Sequence, residues 1–168
     1  MNRKLLVSSS LIVLCIVVVL GIRSYSNRLP FTSNNQEVII KFERSPCFGP
    51  CPIYNMIIYG SGLVVYEGID FVKTQGMQIK FLSQEEVSSL LTQFKKADFY
   101  SLNDKYIAGP TDLASITLTV NIDGVNKQIW HYGFIFCGSE EENPAPLALC
   151  ELEEDLEEIV EEWVRDDT

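Results

Sequence analysis

From Leu5 to Ile22 the chain carries no charge, and Arg3 and Lys4 stand just before this run. As a helix rising about 1.5 Å per residue it would extend about 27 Å, close to the hydrocarbon thickness of a bilayer. Residues 1–23 are therefore expected to form an N-terminal membrane anchor or signal segment, and the globular fold must be built from the residues C-terminal to it. A secretory signal peptide would have a shorter apolar core and a small-x-small cleavage site, for which Ser24-Tyr25-Ser26 is a weak match. Leu14 is too large to precede a lipoprotein cysteine at Cys15, and the apolar run continues past it. An uncleaved anchor is the preferred reading. Arg23 and Arg28 balance Arg3 and Lys4, so charge asymmetry says little about orientation. The short N-terminal tail favours a cytoplasmic N-terminus. The protein is thus expected to be a single-pass cell-membrane protein whose domain lies outside the cytoplasm, in the periplasm or at the cell surface. The membrane is its first expected partner.

Residues 24–36, with Ser33-Asn34-Asn35, have no apolar period and read as a flexible linker. Residues 37–168 are enough for one domain with a real core. The net charge of −10 is unevenly placed. Thirteen acids and one base, Arg165, lie from Glu140 onward, leaving twelve bases against ten acids elsewhere. With no basic patch visible to neutralise phosphates, nucleic acid is disfavoured and is not expected as a partner.

Val38 to Phe42 alternates as a short strand. Ile53 to Tyr59 and Leu63 to Glu67 read as a hairpin around Gly60-Ser61-Gly62, and Met77 to Phe81 as a further strand. Ser83 and Glu86 have capping-box spacing, with Leu82 and Val87 at the staple positions. Val87, Leu90, Leu91 and Phe94 then form an apolar helical stripe, and Lys95 and Lys96 suit the negative end of the helix dipole. Asp123-Gly124 is a strong two-residue turn between Ser115–Ile122 and Val125–Tyr132. That register pairs Ile122 with Val125, Leu118 with Ile129 and Ile116 with His131 on one face. Thr117, Thr119, Gln128 and Trp130 share the other. A last helix is expected from about Pro146 to Val164, burying Leu149, Leu152, Leu156, Ile159, Val160 and Trp163. The pattern predicts an α+β domain: an antiparallel sheet of about five to six strands built from two hairpins, with two helices packed on one face.

Five cysteines are present. Cys15 lies in the apolar run. Cys47, Cys51, Cys137 and Cys150 remain, an even number that in an exported domain suggests two disulfides with three connectivities. Cys47–Cys51 and Cys137–Cys150 need the least chain rearrangement. The second loop would stabilise by about 3 kcal/mol if unstrained, the shorter first loop by less. The first bridge lies in Pro46-Cys47-Phe48-Gly49-Pro50-Cys51-Pro52, where its expected role is to hold the loop that leads into the first hairpin. A redox reading would need a lowered thiol pKa, and Arg44 is the one nearby cation, while Cys51-Pro52 leads into a strand rather than a helix N-terminus.

Cys47-Phe48-Gly49-Pro50-Cys51-Pro52-Ile53-Tyr54, then Tyr59-Gly60-Ser61-Gly62 and Tyr66-Glu67-Gly68, resembles the opening signature of a bacterial exported domain family of unknown function. The likeness continues through Phe71-Val72, Leu82-Ser83, Phe99, Thr111-Asp112-Leu113 and Pro144-Ala145-Pro146-Leu147. The resemblance implies an exported or lipid-anchored setting and a domain spanning the whole exported part. It transfers no catalytic residue. The C-x-x-x-C-P spacing is also similar to that of the membrane-anchored Sco-type copper chaperones, where two thiolates and a distal histidine suit Cu(I). His131 is the only histidine here. It falls opposite Ile116 on the apolar face, where a hydrogen-bonded structural role is expected. The topology also departs from that family's strand-to-helix site. A four-cysteine zinc site is disfavoured by the wide spacing of the second pair.

Thr111-Asp112 reads as a turn before a strand. Glu153, Glu154, Glu157, Glu158, Glu161 and Glu162 read as the solvated face of an amphipathic helix, and Glu140-Glu141-Glu142 as a mobile loop. With no nucleophile triad, phosphate loop or zinc-protease motif, no catalytic residue, metal or cofactor is assigned. The expected function is a non-enzymatic, membrane-tethered binding module for an envelope protein or small ligand. A thiol-redox or copper-handling role through Cys47 and Cys51 is the alternative.

Overall fold

The computed structural model describes residues 37–139 and 143–165. The apolar N-terminus with Cys15, the linker, Glu140-Glu141-Glu142 and residues 166–168 lie outside the described residues. Among the described residues no helix is long and apolar enough to cross a membrane.

The strands are β1 (Val38–Arg44), β2 (Ile53–Tyr59), β3 (Leu63–Asp70), β4 (Gly76–Phe81), β5 (Lys105–Ile107), β6 (Ser115–Ile122) and β7 (Val125–Tyr132). The helices are α1 (Gln84–Lys96) and α2 (Leu147–Val164). The described strands make one seven-stranded sheet in the order β4-β3-β2-β1-β6-β7-β5. This corrects the expected five to six antiparallel strands, because β5 adds a parallel pair with β7. Three residues are too short to carry a readable alternation. Tertiary contact recruits them: Tyr106 packs edge-on to His131 at 6.3 Å, and Lys105 Nζ lies 4.9 Å from the centre of the Trp130 ring.

Elsewhere the structure keeps to local chemistry. Asp123 and Gly124 both have positive φ, 55° and 78°, as a hairpin turn matching the strand twist requires. The β6–β7 register pairs Ile122 with Val125, Leu118 with Ile129 and Ile116 with His131. Gly62 has φ 87°, and a Cβ there would collide with the Leu82 carbonyl. That close approach lets the Leu82 amide bond the Gly62 carbonyl at 2.9 Å, tying the first hairpin to the start of α1. Ser83 caps α1 as its spacing predicts, with Glu86 N–H to Ser83 Oγ at 3.2 Å and Ser83 N–H to Glu86 Oε2 at 2.6 Å.

Both helices cover one face of the sheet. Alternate strand residues, including Phe42, Tyr54, Met56, Tyr66, Leu118 and Ile129, point into a core completed by Val87, Leu90 and Phe94 of α1 and Leu149, Leu152, Leu156 and Val160 of α2. Along the sheet, Phe42, Tyr54, Tyr66 and Trp163 form a ring ladder with successive centroid separations of 5.9, 5.4 and 5.3 Å. α2 lies obliquely across the strands. Its first turns meet β7, its middle meets β1, and Trp163 and Glu162 meet Tyr66 on β3 and Lys80 on β4.

The Tyr66 hydroxyl is buried without a hydrogen-bond partner among the described residues. Burial raises its pKa to about 12. The folded state therefore keeps a proton that the unfolded chain releases near pH 10, so stability falls as pH rises from about 10 towards 12. Tyr66→Phe is expected to be neutral or stabilising at pH 7, because it removes an unsatisfied buried group. It should also flatten the stability loss between pH 9 and 11 in denaturant titrations; an unchanged alkaline slope would contradict this account.

Candidate functional site

Three places gather chemistry. The first is the proline-fenced loop between β1 and β2. Cys47 and Cys51 are bridged with Cα atoms 5.8 Å apart, within the range a disulfide spans. Phe48 at its tip is 91% exposed. The Phe48 amide donates to the Asp112 carbonyl at 3.0 Å. Two segments 64 residues apart in sequence thereby share one end of the sheet. Asp112 itself has φ 79°, a left-handed conformation uncommon for a residue with a side chain. Tyr132 braces this end, its hydroxyl donating to the Pro110 carbonyl and accepting from the Leu113 amide. The turn expected at Thr111-Asp112 is thus also a contact of the cysteine loop.

The second place lies under α2. Arg44, which a redox reading would need as a thiolate partner, is committed to other contacts. Its guanidinium stacks over the Phe134 ring at 4.4 Å and pairs with Glu157, both side chains being largely buried. Tyr54 adjoins the pair. Burial raises its hydroxyl pKa well above the ordinary range; the Glu157 charge pushes the same way and Arg44 opposes. A cavity of about 310 Å³ opens here, with Tyr54, Glu154, Glu157, Glu158, Glu161 and Arg165 in its lining. Its wall is mostly carboxylate, unlike the apolar wall of a typical small-molecule pocket.

The third place is buried beside the second bridge. Cys137 and Cys150 are joined with Cα atoms 6.2 Å apart. His131 is fully buried, and its Nδ1 lies 2.8 Å from Glu153 Oε2. An imidazole nitrogen and the two sulfur atoms all lie within 4.8 Å of one another. Burial raises the Glu153 carboxyl pKa, and the hydrogen bond to His131 pulls it back. Among the described residues, His131 Nε2 and Glu153 Oε1 have no hydrogen-bond partner. The hydrogen-bonded histidine expected opposite Ile116 is present, but the structure joins it to Cys137 and Cys150 rather than to Cys47 and Cys51. The Cu(I) constellation of the alternative reading, Cys47 and Cys51 with His131, is not assembled among the described residues.

The uniformly solvated acidic face expected for the last helix is corrected here. Glu153 is 3% exposed and the Glu157 side chain 17%. Cys150, Glu153 and Glu157 stand at i, i+3 and i+7, on one helical face. That spacing was readable in sequence. The basic partners were not, because His131 and Arg44 come from distant strands.

Among the described residues no helix covers the opposite face of the sheet. At the β4 edge it presents Met77, Ile79 and Phe81, all exposed, with Phe81 at 73%. The register places them beside Glu67, Val65 and Leu63 of β3, and Val65 beside Ile57 of β2.

Cys47→Ser/Cys51→Ser is expected to lower the melting temperature modestly, since opening so small a loop costs about 2 kcal/mol, and to increase amide exchange around Phe48 without unfolding the domain. Unchanged stability and unchanged exchange would remove the structural role. Arg44→Met leaves the largely buried Glu157 with the Arg165 guanidinium at 3.9 Å and is expected to cost about 3 kcal/mol, while Arg44→Met/Glu157→Leu recovers most of that loss. A double-mutant cycle in denaturant checks this, and simple additivity of the two single changes would refute it.

Comparison with curated proteins finds no match. A family model described as a domain of unknown function matches residues 38–160. That interval runs from the first residue of β1 into α2 and takes in both cysteine pairs, His131, Glu153 and Arg44. On that match, the chain belongs to the DUF6438 family of domains of unknown function.

Proposed function

We propose that this protein is a membrane-tethered cell-envelope domain that acts as a non-enzymatic binding module, engaging a protein partner through the sheet face opposite its helices. The observation that carries this reading is the apolar patch at the β4 edge, where Met77, Ile79 and Phe81 stand exposed beside Leu63 and Val65. Isolated exposed hydrophobics need no explanation, but a contiguous group on adjacent strands marks an interaction surface. β4 is also an edge strand, paired on one side with β3, so it can accept an extended segment by backbone hydrogen bonding while the apolar side chains select it. The uncharged run from Leu5 to Ile22 supports tethering. Two cysteine pairs at bonding distance suit an oxidising compartment.

The test places a photo-crosslinking side chain at Ile79 in the full chain, in its native membrane. A discrete cross-linked product is expected. Met77→Glu/Phe81→Glu should abolish it while shifting stability by no more than about 0.5 kcal/mol per exposed site. No product, or a product indifferent to the two glutamates, would overturn the assignment of this face. Resistance of the domain to protease added outside the intact membrane would overturn its location.

A further inference from the structure

The buried cluster beside the second cysteine pair holds a feature that neither the disulfide nor the docking surface uses. We propose that His131, Cys137 and Cys150 form a zinc site when the bond between the cysteines is reduced, so that disulfide and metal are alternative occupants of one position. The three donor residues are already gathered, with one atom of each inside 4.8 Å of the others. Tetrahedral zinc with bonds of about 2.3 Å to sulfur and 2.0 Å to nitrogen needs its donors only about 3.6–3.8 Å apart. Side-chain rotation supplies that separation between thiols whose Cα atoms are 6.2 Å apart.

The histidine is prepared as a ligand. Glu153 engages Nδ1 at 2.8 Å, which fixes the ring. This is the carboxylate–histidine arrangement that orients metal-binding imidazoles. It leaves Nε2, fully buried and without a partner among the described residues, as the nitrogen with an unmet need. A buried polar atom of that kind calls for an explanation, and a metal ion supplies one. Two thiolates balance the charge of a dication, whereas a monocation would leave surplus negative charge buried next to Glu153. That favours Zn²⁺ over Cu⁺. Cys150 is buried and Cys137 half-buried, so reductant and metal reach the site from the Cys137 side.

The exchange balances with a dithiol reductant. The reductant gives two electrons and two protons to the Cys137–Cys150 bond, which breaks to two thiols while the reductant closes to its own disulfide. Zn²⁺ then replaces the two thiol protons, which leave to solvent. The fourth zinc position is left for water or an added donor. This inference does not depend on the docking role, and failure of either leaves the other standing.

The test uses the full chain carrying Cys47→Ser/Cys51→Ser, so that the second pair alone among the domain cysteines responds. After reduction with a phosphine and exposure to Zn²⁺ alone, elemental analysis should find about one zinc per chain, and none in the oxidised form. Co²⁺ in place of zinc should give thiolate charge-transfer and tetrahedral bands. Adding Cys137→Ser/Cys150→Ser should abolish binding, and Glu153→Gln should weaken it about 10–100-fold. Zinc should also raise the melting temperature of the reduced protein. Equal zinc uptake with and without Cys137 and Cys150 would overturn the proposal. So would a reduced protein whose melting temperature, or recovery of structure, zinc leaves unchanged.

Discussion

α2 carries Cys150, Glu153 and Glu157 along the face it turns towards the sheet, and each needs a partner once it leaves water. A buried carboxylate without hydrogen bonds or a counter-charge is too costly to keep. Glu153 finds His131 on β7, and Glu157 finds Arg44 on β1. These ties set where the helix crosses. Farther along, Trp163 completes the ring ladder against Tyr66, and Lys80 reaches the Ile159 carbonyl and Glu162. One helix therefore spans the sheet from β7 to β4, and its polar contacts help define the register of an otherwise apolar interface. The disulfide from Cys150 to Cys137 anchors its first turn covalently.

The two cysteine pairs do different work. The Cys47–Cys51 loop sits at the surface, presents Phe48 and holds the Asp112 loop, so its chemistry is one of shape. The Cys137–Cys150 pair sits with a buried histidine whose second nitrogen has no hydrogen-bond partner among the described residues, and the proposed metal site rests on that. The proline-fenced loop attracts notice in the sequence, yet reactive potential concentrates at the less conspicuous pair. The histidine goes to whichever cysteines the sheet brings near, and β7 delivers it to Cys137 and Cys150.

Much of the fold was legible because its signals are local. The Asp123-Gly124 turn, the Ser83 capping box and the apolar stripes of both helices each lie within a few residues, where backbone preference and side-chain period act directly. β5 was not, since Lys105-Tyr106-Ile107 forms a strand only because the β7 edge is available to pair with it. The acidic helix misled for a related reason: Glu153 and Glu158 look alike in sequence, and only their angular position relative to the sheet makes one buried and the other exposed.

By itself the sequence determined the types of the longer elements, the β6–β7 register and the close pairing that chain separation favours among four cysteines. These come from periodicity, turn stereochemistry and short loop closure, which need no knowledge of distant residues. Tertiary structure alone decided that Arg44 serves Glu157 instead of a thiolate. It also decided that His131 and Glu153 form a buried pair beside Cys137 and Cys150, and that Met77, Ile79 and Phe81 stand exposed at the β4 edge. Each depends on which strands become neighbours and which face the helices cover. That is settled by burying the whole apolar surface at once, not by any one segment.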